Sequence, residues 1–589
     1  QYISSDLPTL LQAAQLAGHG FTFATAKGRS NYACLQKLPV LEEDPNRAVT
    51  QLERWAMLQS LPLSRGDKES VPDHVNMTDS DWRGIAADDD CEKRGCPFYG
   101  NGALPGGSTR CFVFDARKQF LEAQIVVTNH TLLLLDRQMC TEASPVGPLL
   151  DKFDLLIVDE AHTLPDKAQG TWGYEFGPRT ISNTLKGIDR MMKRAGVDVF
   201  EDGWQDTWFR MEEKIFAPFQ NYVGKSLPFH KIEKADVEDS RVAAIDMALP
   251  ELRKLHKRIG EEGIGAEDAA ASAKERLGRM YKALQAVYTG DGSENDDEAG
   301  NWLSFIETEI REHARHEADR KYVKMKVKPI EVGPLMRTKI WETIPQVVMA
   351  SATLRVQRSF GFIKKESGAP SDVNEFIGKT PFDFRNAVQG YFPTDKALMP
   401  PDRKSISYSD DLRRYNNACA DRIVQLMEHT GGGALILFTS VSAMRDAHVL
   451  VRAMTDIPCM CQGDAPKHVL VSRMKEDVHS CLFATKSFFT GVDIPGEALR
   501  LLILMRAPFK VPGEPMFEAR CDKLEARGGS PFRDLSLPLM LMDLLQGFGR
   551  LIRTETDKGV FALLDARANT KGYGEDIKKA LPKIGELVL

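Results

Sequence analysis

A chain of 589 residues is too long for one hydrophobic core, so three or four domains are expected. With 42% hydrophobic and 27% charged residues, and 77 basic against 83 acidic side chains (net -6), it is not a protein that coats nucleic acid electrostatically, although local basic tracks and a DNA partner stay open. No run of about 18 apolar residues and no signal peptide at Gln1 support a membrane or export reading, so a cytoplasmic protein is expected, and ten unevenly spaced cysteines suit a few metal-binding thiols among buried ones better than a disulfide scaffold.

Leu7, Leu10, Leu11, Ala14 and Leu16 fall largely at helical spacing and predict an amphipathic helix. Residues 21–25 read as a short strand that runs into Lys27-Gly28-Arg29-Ser30-Asn31-Tyr32-Ala33-Cys34, a basic turn ending in a cysteine. Cys91, Cys96 and Cys111 follow in a stretch rich in Gly, Pro and Asp, a composition that needs a staple. Four thiolates on one small module can hold zinc or an iron-sulfur cluster, and the four residues between Cys91 and Cys96 are compatible with both.

Residues 112–121 look helical, and 124–130 look like a buried strand with a polar end at Asn129 and His130. Next, Leu155-Leu156-Ile157-Val158 runs straight into Asp159 and Glu160, the pattern of a fully buried parallel strand that delivers two acids into a crevice at its C-terminal end. In nucleoside-triphosphatase chemistry Asp159 would hold the Mg²⁺ shell and Glu160 would orient or deprotonate the attacking water, because phosphoryl transfer mainly needs positioning and charge neutralisation. His162 would report nucleotide state elsewhere. Taken alone, the pair is equally an ordinary strand ending in a polar turn. Two apolar strands joined by a helical crossover predict a parallel α/β sheet.

From 169 to 316 the chain turns to helices of mixed charge. Leu277, Met280, Tyr281, Leu284, Val287 and Tyr288 form one stripe, read as bundle core within a helical insertion. Residues 322–332 alternate, with Lys324, Lys326 and Lys328 on one face, either solvated or touching phosphate. Another buried strand, 345–350, ends in Ser351-Ala352-Thr353, hydroxyls suited to relaying hydrogen bonds into the same crevice.

Beyond about residue 380 strands and helices alternate again, predicting a second α/β lobe. One strand ends at Thr439 and Ser440. Ser487-Phe488-Phe489-Thr490-Gly491-Val492-Asp493-Ile494-Pro495-Gly496 sets two aromatics before a glycine turn and an acid; such rings stack on unpaired bases or sit in a core. In Gln546-Gly547-Phe548-Gly549-Arg550-Leu551-Ile552-Arg553, a helical run would place Arg550 and Arg553 on one face as arginine fingers toward a γ-phosphate.

In this order the motifs resemble the DinG/XPD group of superfamily 2 helicases, most closely the bacterial DinG branch, over nearly the whole chain. The resemblance implies an α/β fold with two RecA-like parallel-sheet lobes and, inserted in the first, an iron-sulfur-type module and a helical arch. The first lobe would comprise 1–33, 124–168 and 317–379, the module 34–123, the arch 169–316 and the second lobe 380–589. Cys34, Cys91, Cys96 and Cys111 would ligate a [4Fe-4S] cluster. Asp159, Glu160 and His162 match the Mg²⁺ and water-activating motif, and Gln546, Arg550 and Arg553 the ATP-sensing motif. Gly491 and Asp493, with Thr353, would link ATP to DNA. Lys27, Arg29, Asn129, His130, Ser440, Phe488 and Phe489 are the corresponding candidates for DNA contact. The implied activity is ATP-driven 5′ to 3′ translocation of a monomer on single-stranded DNA, unwinding forks, D-loops, R-loops or DNA-RNA hybrids, with no membrane partner.

Three departures accompany the resemblance, one of them Thr490, which stands where relatives often carry Glu. No Gly-rich P-loop ending Gly-Lys-Ser/Thr occurs, so Gln1 is expected to begin inside the family's next segment, with an ATP-independent DNA-binding adaptor as the alternative reading. Fourteen residues separate Cys96 from Cys111, a wide gap for DinG. That gap is in keeping with CasDinG, a sub-branch that accompanies type IV CRISPR complexes at guide-RNA R-loops; repair and CRISPR settings both stay open.

Overall fold

The computed structural model describes residues 6–16, 18–38, 50–58, 66–72, 75, 77–87, 111–140, 149–217, 229–231, 240–263, 267–289, 300–310, 321–402, 407–488, 494 and 496–588. They form two compact units, 1–156 with 163–347, and 157–162 with 348–589. No described helix is long and apolar enough to cross a membrane.

In the first unit β1 (Phe23–Ala26) pairs in parallel with β2 (Ile125–Thr128), Phe23 opposite Ile125. β3 (Leu155–Val158) begins in the first unit, and its last two residues and the acids after it count with the second. β4 (Tyr174–Phe176), β5 (Phe229–Lys231), β6 (Trp302–Ile310) and β7 (Lys321–Pro329) make an antiparallel sheet in the order β4-β7-β6-β5, and β8 (Gln346–Met349) pairs with β3. The expectation of a fully buried strand at 155–158 is corrected here. Among the described residues β1 with β2 and β3 with β8 are two separate pairs, and Leu155, Ile157 and Val348 are 47%, 64% and 47% exposed. A strand with a single neighbour and an uncovered face cannot hide alternate side chains. Within β3 only Val158, next to the acids, is buried.

A small core gathers Tyr32, Trp55, Trp82 and Phe112 behind the first basic turn. The Trp82 indole donates to the Ser30 carbonyl at 2.8 Å, and Thr78 and Asp81 cap the helix that carries Trp82 by bonding each other's backbone.

The insertion is helical as expected, but it is not a bundle alone. Helices Thr180–Arg194, Trp204–Phe216, Ser240–Glu262 and Glu267–Thr289 share one core with the four-stranded sheet. Leu277, Met280, Leu284 and Val287 are buried in that core, with Tyr281 at its margin. β7 joins it because Val323, Met325 and Val327 are fully buried, while its lysines face carboxylates. Lys326, 7% exposed, lies between Glu175, 3.3 Å away, and Glu307, and Lys324 and Lys328 also reach Glu175. The basic face is thus neutralised by acids of β4 and β6, which neither sequence alternative anticipated.

The second unit is built on seven parallel strands: β9 (Val388–Tyr391), β10 (Ala434–Phe438), β11 (Cys459–Cys461), β12 (Cys481–Thr485), β13 (Leu501–Leu504), β14 (Gly559–Leu563) and β15 (Gly585–Glu586). Their order is β11-β12-β10-β13-β14-β9-β15. β10 and β13 are buried along their whole length, as near-continuous apolar runs in a doubly covered sheet must be. Gly431, Gly432 and Gly433 lead into β10 with φ of +67°, +81° and +61°, and a Cβ on Gly432 would lie 2.0 Å from the His479 carbonyl oxygen.

Replacing Lys326 by Met is expected to destabilise the protein by about 2 kcal/mol in urea unfolding, because Glu175 and Glu307 lose their shared counter-charge. Adding Glu307→Leu is expected to recover most of that loss, and unchanged stability in the single variant would count against the ion-pair account.

Candidate active site

The ends of β3 and β8 are stitched by two backbone bonds. Ala350 N–H donates to Val158 at 2.8 Å, and Ala161 N–H donates to Ala350 at 3.0 Å. Between these bonds Glu160 adopts φ +47°, a left-handed conformation uncommon for a side-chain-bearing residue. The turn leaves both carboxylates exposed and aims Glu160 at Ser351.

Ser351 is the hub. Its hydroxyl donates to Glu160 Oε2 at 3.2 Å, accepts from Thr353 N–H at 3.2 Å, lies 2.7 Å from His162 Nδ1 and 3.4 Å from Thr353 Oγ1. One hydroxyl has one proton and two lone pairs. With the proton given to Glu160, the short contact to His162 is filled by an Nδ1–H donor, which fixes the imidazole tautomer. The His162 side chain is 5% exposed, that of Glu160 55%, and Nδ1 lies 3.4 Å from Glu160 Oε2. The structure therefore brings Glu160, His162 and Thr353 together through a serine, with Asp159 beside them on the same turn.

The arginine segment departs from expectation. The helix Leu537–Phe548 ends at Phe548 with Gly549 as its cap, so Gln546 sits in the last turn while Arg550 and Arg553 lie on the loop beyond it. Gly547 and Gly549 weaken the helix there, and buried Leu551 and Ile552 hold the loop in place instead. Asp557 fixes its far end: the carboxylate accepts from Arg553 N–H at 2.7 Å, Thr554 N–H at 2.8 Å and the Thr554 hydroxyl at 2.7 Å. Burial pushes the Asp557 pKa up, but these bonds, together with one from the Gly496 backbone, outweigh it and hold the carboxyl below the usual range. Gly496 closes the stretch that begins at Ser487, so one buried acid ties that stretch to the arginine loop. A second tie is the Lys486 ion pair with Asp543, on the helix that precedes the loop.

Phe488 is corrected. Its ring is 2% exposed within the lobe core, with the Lys467 ammonium 4.9 Å from its centroid, and it cannot stack on a base. Burial, and then the charge of Arg550, lower the Lys467 pKa, which makes Lys467 a neighbour of the arginine loop. Phe489, Gly491 and Asp493 lie outside the described residues.

The other DNA candidates are placed as follows. Lys27 pairs with Glu69 at 2.6 Å and Asp67 at 3.6 Å. Arg29 opens an exposed 3₁₀ turn, Arg29–Asn31. Asn129 and Ser440 are helix N-caps, accepting from Leu132 N–H at 2.8 Å and Ala443 N–H at 3.3 Å. His130 Nδ1 lies 3.3 Å from the Thr163 hydroxyl.

Cys34 and Cys111 are half-buried thiols on the same small module: Cys34 N–H donates to Ile85 at 2.7 Å, and Cys111 caps the helix whose first residue, Phe112, fills the core. Two soft donors so placed fit iron or zinc. Cys91 and Cys96 lie outside the described residues, and among those described no group of three or more His, Cys, Asp or Glu is placed to hold a metal. In the second unit burial pushes Cys419 and Cys481 up to about 12 and Cys459 up to about 11, so they remain unreactive thiols.

Sequence reasoning missed Gln462, at the end of β11, which accepts from the Thr485 N–H and hydroxyl, as well as Lys467 and Asp557. The available signal was a polar residue just past an apolar run. It also passed over Gly378-Lys379-Thr380, which shares its three residues with a P-loop ending but lies exposed and extended before Pro381, not on a strand-to-helix turn.

Residues 423–584 match the helicase C-terminal domain family. The chain is 25% identical to the ATP-dependent DNA helicase YoaA of Haemophilus influenzae, covering 99% of this chain and 84% of that protein. To the ATP-dependent helicase DinG of Mycobacterium tuberculosis it is 28% identical, covering 99% and 83%. A solved XPD helicase shares the fold, with a TM-score of 0.52 at 12% identity over 97% of this chain and 87% of the other. Over nearly all of its length the chain is thus similar to the DinG and YoaA ATP-dependent DNA helicases, and it shares an α/β fold with the XPD helicase.

Proposed function

We propose that this chain is an ATP-dependent DNA helicase that moves 5′ to 3′ along single-stranded DNA and opens forks, D-loops or R-loops. The observation that carries the reading is the Ser351 hub. A water-activating carboxylate, Glu160, shares one hydroxyl with buried His162 and Thr353, so a change in charge at the acid turn is felt by the segment that follows β8. ATP with Mg²⁺ supplies the phosphoryl group to be displaced. Asp159 would hold the cation, Glu160 would accept a proton from the attacking water, and the loop arginines would offset phosphate charge. DNA-RNA hybrids and a type IV guide-RNA complex belong to the same proposal as substrate and partner. The four cysteines would hold a [4Fe-4S] cluster.

Glu160→Gln is expected to lower DNA-stimulated ATP hydrolysis by about 100-fold or more while leaving ATP binding intact; hydrolysis at the parent rate would sink the assignment. Asp557→Asn is expected to cost about 2 kcal/mol at neutral pH and to reduce unwinding, because the arginine loop loses its anchor. Because the folded pKa of Asp557 is depressed, its stabilising effect is complete above the unfolded value of about 4 and fades as pH falls through the lower folded value, so the two stability profiles should converge in acid. For the cluster, anaerobically purified protein is expected to be brown and to contain iron and sulfide that Cys34→Ser and Cys111→Ser remove. Stoichiometric zinc, or no metal, would overturn it.

A further inference from the structure

The second unit holds a cavity of about 1230 Å³ at the C-terminal ends of β10, β13 and β14, apart from the Ser351 hub and the arginine loop. Thr439 lines it, next to the Ser440 cap. Six cations face it, Lys396, Arg414, Arg506, Lys510, Arg567 and Lys571, against two acids, Asp402 and Asp411. Two of the cations are fixed in orientation. Arg567 is held by fully buried Asp565, which also accepts from Ala507 N–H, and Arg506 lies over the Tyr415 ring at 4.6 Å. Arg414 is answered by Asp411 at 3.0 Å. Lys396, Lys510 and Lys571 have no carboxylate partner among the described residues. In a chain of net charge -6, this is a concentration of uncompensated positive charge.

The wall opposite is aromatic. Phe509 and Phe532 are stacked with ring centres 6.0 Å apart, and Tyr573 meets Phe509 edge-on at 5.3 Å and Phe532 at 5.6 Å. Phe532 is 42% exposed, and it opens a π-helical turn, Phe532–Ser536, forced by the entry of Pro538 into the next helix. Phe532 is thus left open at the mouth of a basic trough, while Phe509 and Tyr573 rest partly against the lobe core and hold it in place. The volume exceeds the roughly 300–1,000 Å³ of a small-molecule pocket and suits a short piece of polymer.

We propose that this cavity takes one nucleobase turned out of the tracked single strand of DNA, with Phe509, Phe532 and Tyr573 as its stacking platform and Lys396, Lys510 and Lys571 holding the flanking phosphates. Base–aromatic stacking needs no particular base, so the site grips without reading sequence. The inference rests on the DNA-tracking reading above and adds to it a specific position on the strand.

The test is equilibrium binding of the full chain to a fluorescein-labelled single-stranded oligonucleotide carrying one abasic site, moved along the strand position by position. One position is expected to weaken binding about tenfold, the rest little. Phe509→Ala with Phe532→Ala is expected to weaken the intact strand by a similar factor and to flatten the scan, and Lys510→Glu with Lys571→Glu to weaken all strands alike and reduce the salt dependence. A flat scan in the parent protein, which requires no variant to fold, overturns the pocket while the helicase reading stands. A position-dependent scan that survives both aromatic substitutions also overturns it. A parent protein that binds no single-stranded DNA overturns both.

Discussion

A parallel sheet covered on both faces has nowhere to put a polar group except at its strand ends, and this constraint organises the second unit. β10 and β13 offer no exposed side chain along their length. A series of polar groups of that unit therefore appears within a residue or two of a strand's C-terminus: Thr439 and Ser440 after β10, Gln462 after β11, Lys486 after β12, Arg506 after β13 and Asp565 after β14. The backbone ladder sets their spacing, because adjacent parallel strands lie just under 5 Å apart. Side chains remote in sequence are thus delivered as neighbours with little freedom left to lose.

Two polar residues turn that arrangement into coupled parts. Ser351 shares one proton and two lone pairs among Glu160, His162 and Thr353, so none of the three can change its hydrogen bonding alone. Asp557 does the same for the arginine loop and Gly496 through backbone donors. Both are short side chains, and both act on backbone or buried atoms, where a missing partner is costly. The charge distribution follows a similar economy. The lysines of β7 are answered by Glu175 and Glu307, and Lys27 by Asp67 and Glu69, whereas six cations against two acids line the cavity beyond β10, β13 and β14.

Much of this could be read from the chain. Apolar runs of four or five residues ending in polar ones located β10 in the second unit, the acids after Val158 and the hydroxyls after β8, because burial and strand length leave a direct trace in sequence. What could not be read depends on partners distant along the chain. Helical spacing put Arg550 and Arg553 on one face, but two glycines and the burial of Leu551 and Ile552 end the helix first. Phe488 looked available because a ring beside a glycine turn has no periodicity to mark it as core. The insertion's sheet was invisible because β4 and β7 lie about 150 residues apart and are joined only by pairing, in which Glu175 sits opposite Lys326. In the first unit the reverse held: the run at Leu155 promised full burial, but burial needs a covering layer, and the described residues supply one neighbour strand.

The turn before β10 has a consequence for the unfolded chain. Three successive glycines give that point more freedom to lose than any other in the second unit, roughly 2 kcal/mol relative to alanines. No alanine could recover it, since at Gly432 the His479 carbonyl leaves no room for a methyl group. This interior strand of the sheet therefore enters through a stretch with much freedom to lose, and its position is held by β12 and β13, which close around it.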